Sequence, residues 1–114
     1  MQHQKSANYL RAFRKKSGLS QRDLGKLLGY DDAGQVSRHE RATSIPPLAA
    51  ALAYELIFRV PVASIFVGMR GDIARNLEAK LKEMKISLEN LDVRPANASL
   101  AAQKLAWLST RENE

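Results

Sequence analysis

Residues 20–41, SQRDLGKLLGYDDAGQVSRHER, constrain this chain more than any other stretch. They read as two short helices joined by a tight turn. Ser20 is placed to cap the first helix, and Asp23, three residues on, can reach back to the free amides at its start. Leu24, Leu27 and Leu28 then fall on one helical face. Gly29 ends the helix, because glycine takes the left-handed conformation of a helix terminus without a Cβ penalty. Asp32 and Gln35 repeat the capping spacing, so a second helix is expected to begin near Asp32. Val36 is its inward residue, and Arg38, two positions further, points outward.

The flanking sequence supplies more helices. One is expected over residues 6–17, with Leu10, Phe13 and Tyr9 turned inward and Gly18 as its stop. Arg11, Arg14, Lys15 and Lys16 crowd its C-terminal half, where cations complement the helix dipole and could equally meet phosphate. The central pair is expected over 21–28 and 33–39, followed by a loop, RATSIPP. Pro47 suits the first position of a fourth helix that runs to Phe58. That helix, LAAALAYELIF, is apolar almost all round, whereas a helix against one neighbour needs only a stripe. A second cover is therefore expected, from the C-terminal segment or from another subunit. Glu55 and Arg59 have the spacing of a helical ion pair. A short fifth helix over 62–66 would close the core with Val62, Ile65 and Phe66.

Arg14, the tripeptide Leu19-Ser20-Gln21, Gly29, the pair Val36-Ser37, Glu40 and the prolines Pro46 and Pro47 stand in the order of a known domain pattern. The stretch resembles the Xre-type, lambda-repressor-like family of helix-turn-helix DNA-binding domains, over roughly residues 8–66. Gly25 stands where the family usually has alanine. The spacing from Gly29 to Val36 is one residue longer than the commonest one, with the extra residue read into the turn at Tyr30 and Asp31. The resemblance implies an all-α fold: a five-helix domain over residues 1–68, with additional C-terminal helices over 69–114 for dimerisation or partner binding. It also implies that Arg14 and Glu40 form a structural ion pair tying the first helix to the third.

Composition agrees with a nucleic-acid partner. The chain of 114 residues can bury a real core, and its formal net charge is +6. Residues 1–60 hold ten Lys and Arg against five Asp and Glu, while residues 61–114 hold eight against seven. The excess therefore sits on the half that resembles a DNA-binding domain. No cysteine is present, and His3 and His39 are too few and too far apart for a metal cluster. Ser37 beside a lone histidine, with no placed acid, is not a triad, and no phosphate-binding loop or dinucleotide fingerprint occurs. The expectation is a protein that is not an enzyme and needs no cofactor. MQHQKSANYL has no apolar core of a signal peptide, and the apolar stretch 48–69 is broken by Glu55, Arg59 and Pro61. A cytoplasmic protein with no membrane partner is expected.

Beyond Gly68 a further helix is expected over about 72–85. Met69, Ile73, Leu77, Leu81, Met84, Leu88 and Leu91 recur every three or four residues, the pattern of a coiled-coil seam or of an amphipathic helix lying on the fourth helix. Residues 92–98, with Pro95, read as a linker. Ser99 can cap a last helix over 100–109, anchored by Leu105, Trp107 and Leu108.

By motif position the resemblance makes Ala33, Gly34, Ser37 and Arg38 the base-facing set. Gln21 and Arg22 come at the start of the second helix, where phosphate or base is met, and Arg41 and Thr43 in the loop that touches the backbone. Arg38 is the strongest reader, since a guanidinium can bond the O6 and N7 of guanine together. Gln35 is either a capping residue or, turned outward, a reader of adenine. His39 is expected at the surface or half-buried. The implied partner is double-stranded DNA, bound by a homodimer acting as a transcriptional regulator, most simply a repressor on a palindromic site. The alternative is an antitoxin-type or accessory protein whose C-terminal helices bind a protein partner while the helix-turn-helix serves autoregulation.

Overall fold

The computed structural model of the chain describes residues 8–90 and 95–112. They form seven helices in order: α1 Leu10–Lys16, α2 Gln21–Leu27, α3 Gly34–Glu40, α4 Leu48–Phe58, α5 Val62–Ile65, α6 Val67–Glu89 and α7 Pro95–Glu112. No strand occurs among the described residues. The fold is all-α, with a helix-turn-helix domain at its N-terminal end. It divides into two compact units, Met1–Asp72 and Ile73–Glu114.

In the first unit, Leu10, Leu24, Val36, Tyr54, Ile65 and Phe66 are buried together, one residue from each of five helices and one from the α5–α6 junction. Phe13, Leu19, Leu28, Ile57, Phe58, Val60, Val62 and Met69 pack against them. Fully burying a side chain of this size is worth about 1.5–3 kcal/mol, so the cluster accounts for most of what holds short helices that would not form alone. The expected start of the first helix at residue 6 lies outside the described residues. Asn8 instead supplies the local start signal, its Oδ1 accepting the Leu10 N–H at 3.1 Å.

Several inward assignments are corrected. Tyr9 is 54% exposed, because its backbone N–H is tied to Ile65 O at 2.7 Å and its ring is left outside. Leu27 is exposed, since only Leu24 of its face points at the centre of the core and Leu28 at its edge. Glu55 does not reach for Arg59: its Oε1 accepts the Val62 N–H at 2.9 Å and so caps the start of α5. Arg59, at φ 59°, takes the left-handed position that terminates α4. On α4, Ala50 and Tyr54 are buried, while Leu48, Leu52 and Leu56 form an exposed stripe four residues apart.

The second unit holds α6 from Ile73 onward and α7. Helix α6 begins directly after α5, five residues before the expected start at 72. Gly68 and Gly71 weaken a helix by about 1 kcal/mol each but do not forbid one, and Met69 holds the first turn against the core. Pro95 opens α7 where a linker was expected, since a missing N–H costs nothing at the first helical position. Ala101 and Leu108 are the buried residues of α7. Lys85 pairs with Glu112 at 3.0 Å and Arg111 with Glu78 at 3.2 Å, so the two helices are also tied by charge. Trp107 is not an anchor: it is 51% exposed, with the Arg111 guanidinium 5.4 Å from its ring centre. Ile73, Leu77 and Met84 are likewise exposed, and Leu91 lies outside the described residues.

Candidate nucleic-acid interface

Helix α2 starts as its sequence dictates. Ser20 Oγ accepts the Asp23 N–H at 2.9 Å, and Asp23 Oδ2 accepts the Ser20 N–H at 2.9 Å. These bonds from Ser20 hold the exposed Asp23 carboxyl below the usual carboxylate range. The helix ends at Gly29, with φ 88°, and Tyr30 N–H closes the turn on Gly25 O at 2.8 Å.

The turn into α3 differs from the expectation. Asp32 and Gln35 do not form a capping box. Asp32 Oδ1 accepts the Gly34 N–H at 2.9 Å, and the residue that precedes α3, Ala33, makes no side-chain cap. The Asp32 carboxylate thus serves a local turn spanning two residues, and Gln35 does not cap the helix. The same turn explains Gly25. A Cβ at that position would lie 2.7 Å from the backbone oxygen of Asp32. The close approach of this turn leaves no room for a methyl at position 25.

Helix α3 buries Val36 and His39 and turns its other side out. At 100° per residue, Gly34, Arg38 and Arg41 follow the middle of the outer face, with Ser37 and Gln35 on its two edges. Arg22 on α2, Arg38 and Arg41 are exposed. Gln35 and Ser37 are half-buried, as is Ala33, the residue that precedes the helix. Arg41 Nε donates to Ser37 O at 3.3 Å and Thr43 Oγ1 donates to Arg38 O at 3.3 Å. Both therefore rest on the C-terminal carbonyls of α3, and Ala42, at φ 60°, makes the bend between them.

Arg14 and Glu40 brace the helix from behind. Their ion pair is bidentate, Nε to Oε2 at 2.5 Å and Nη2 to Oε1 at 3.2 Å, and the two side chains are only 10% and 3% exposed. Arg14 Nη1 also donates to Leu19 O at 2.9 Å, and Gln21 Nε2 donates to Glu40 Oε1 at 3.0 Å. Gln21 thus commits one amide hydrogen to this internal network.

His39, expected at the surface or half-buried, is in the core and 1% exposed. Its Nδ1 meets Tyr54 Oη at 2.7 Å, and the ring stands edge-on to both Tyr54 and Tyr30. Its Nε2 is buried with no hydrogen-bond partner. Burial pushes the imidazole below its ordinary pKa, with the charge of Arg38 adding to the effect, and burial pushes the Tyr54 phenol up. His39 is therefore a neutral core residue on the same helix as the outward arginines. The one sequence signal for it was its spacing of three from Val36.

Among the described residues no group of three or more His, Cys, Asp or Glu could hold a metal ion. Among the described residues no helix is long and apolar enough to cross a membrane.

Residues 7–60 match the family of proteins described as a helix-turn-helix domain. That segment covers α1 to α4, with the turn and the outer face of α3 at its centre. No curated protein and no solved structure matches the chain.

Proposed function

We propose that the chain is a sequence-specific DNA-binding regulator that lays α3 in the major groove, with α2 across the backbone. The observation that carries this reading is the helix-turn-helix match over residues 7–60, together with the outer face of α3. That face offers a guanidinium to base edges at Arg38, small residues that let the backbone approach at Gly34, and amide and hydroxyl edges at Gln35 and Ser37. Arg22 and Arg41 supply phosphate contacts, which add affinity without sequence information. The resemblance to the Xre-type domains extends the reading to a repressor in the cytoplasm, bound as a two-fold dimer to a palindromic site. Nothing in it calls for catalysis or a cofactor.

Two substitutions test it. Arg38→Ala should cost about 1–3 kcal/mol on the preferred duplex and relax base preference at one position. Arg41→Ala should weaken all duplexes alike and lower the salt slope by about one. Equal loss on specific and random DNA for Arg38→Ala would remove it as a reader.

A second reading, an accessory or antitoxin-type protein, is favoured by one observation. Ile73, Leu77, Met84, Leu100 and Trp107 leave the α6–α7 unit with an exposed apolar surface. A pull-down from cell extract with the full chain and with a chain cut after Gly68 separates the two: a protein partner held by the full chain and lost with the tail favours the second reading, and no such partner favours the regulator.

A further inference from the structure

Arg38 does not project freely from α3. Its guanidinium lies back along the helix over Gly34, one turn earlier. A Cβ on Gly34 would stand 3.4 Å from Nη2 and 3.5 Å from Nη1 of Arg38, and 3.1 Å from Oδ1 of Asp32. The space left by the absent side chain is therefore the seat of the guanidinium, and the Asp32 carboxylate borders the same space. Asp32 is fixed there by its bond to the Gly34 N–H at 2.9 Å. That bond uses one carboxylate oxygen, and the carboxylate stands beside the seat of the cation without an ion pair to it.

We infer that Asp32 and Gly34 are specificity-determining residues that position the Arg38 guanidinium for base reading. This rests on the reading of α3 as the recognition helix. An arginine loses rotamer freedom when it docks on a base, and a side chain already seated loses less. Guanine rewards this more than other bases, because its O6 and N7 demand the planar fork in one orientation. Gly34 gives the seat its room and Asp32 gives it direction. The carboxylate also penalises any register that brings a phosphate to this end of the helix, so the same charge lowers affinity for random sequence. Discrimination thus arises from an attractive element, the seated fork, and a repulsive one beside it.

The test uses the full chain and three probes: a duplex carrying the site selected from random DNA, that duplex with the base pair read by Arg38 replaced, and a random duplex. Asp32→Asn keeps an oxygen to accept the Gly34 N–H and removes only the charge. Its melting temperature should match the parent's, its preference for the read base pair should fall roughly fivefold or more, and its affinity for the random duplex should rise. Asp32→Glu restores the charge and should recover part of the preference. Gly34→Ala places a better helix former in the first turn, so it should melt no lower than the parent while losing preference. If both Asp32→Asn and Gly34→Ala keep the parent's preference while Arg38→Ala loses it, the positioning role is wrong and the recognition helix stands. If Arg38→Ala itself keeps the preference, the reading of Arg38 fails and the inference fails with it.

Discussion

Glu40, at the end of α3, holds Arg14 of α1 through both carboxylate oxygens, in a pair whose two side chains are almost out of water. The pair fixes the helix that presents the outer face against the helix that begins the domain. Removing Glu40 leaves a buried guanidinium with one carbonyl, Leu19 O, and frees the Gln21 amide.

Glu40→Ala should therefore destabilise the protein by about 3–5 kcal/mol, read from urea unfolding, because an uncompensated buried charge costs more than the pair contributes. Glu40→Gln, which keeps acceptor and shape, should lose less. A Glu40→Ala protein that unfolds at the parent's urea midpoint would show that the pair carries no such strain.

His39 and Tyr54 give a pH prediction. The folded imidazole titrates below its ordinary value, so the unfolded chain takes up the proton more readily. The contribution of neutral His39 is fully present above the unfolded pKa of about 6.5 and is lost as pH falls below it. His39→Phe should cost about 1–3 kcal/mol at pH 7, since the buried Tyr54 hydroxyl loses its partner. Adding Tyr54→Phe should return most of that loss and flatten the profile between pH 7 and 5. A double variant that melts as steeply with acid as the parent would place the titrating group elsewhere.

Gly25 makes a prediction against propensity. Alanine is the better helix former by about 1 kcal/mol. Yet its Cβ would meet the Asp32 backbone oxygen at 2.7 Å, and backbone cannot rotate away. Gly25→Ala should destabilise by about 1–3 kcal/mol in thermal unfolding, as overpacking does. Deleting Asp31 together with Gly25→Ala shortens the turn and should recover part of the loss. A stabilised single variant would show that the turn moves freely.

The parts legible in the sequence were those set by local chemistry. The capping box of Ser20 and Asp23, the left-handed Gly29 and the outward placement of Arg38 follow from residue type and spacing, and the helical class follows with them. What the sequence hid depends on contacts between distant residues. The burial of His39 needs Tyr54, fifteen residues on, and the capping of α5 needs Glu55 from the preceding helix. The seat of Arg38 needs a turn whose length is visible but whose path is not. Leu27, Tyr9 and Trp107 misled because an apolar residue on the right face is buried only where a neighbour arrives to cover it.

Whether α3 reads duplex DNA is decided by selection of bound sites by the full chain from a pool of random duplexes. The expected result is a recovered motif with two inverted half-sites, centred about 10–10.5 base pairs or a multiple apart, whose preference at one G·C pair in each half is lost with Arg38→Ala. Recovery of no motif, with binding that follows salt alone and is indifferent to Arg38, would contradict it.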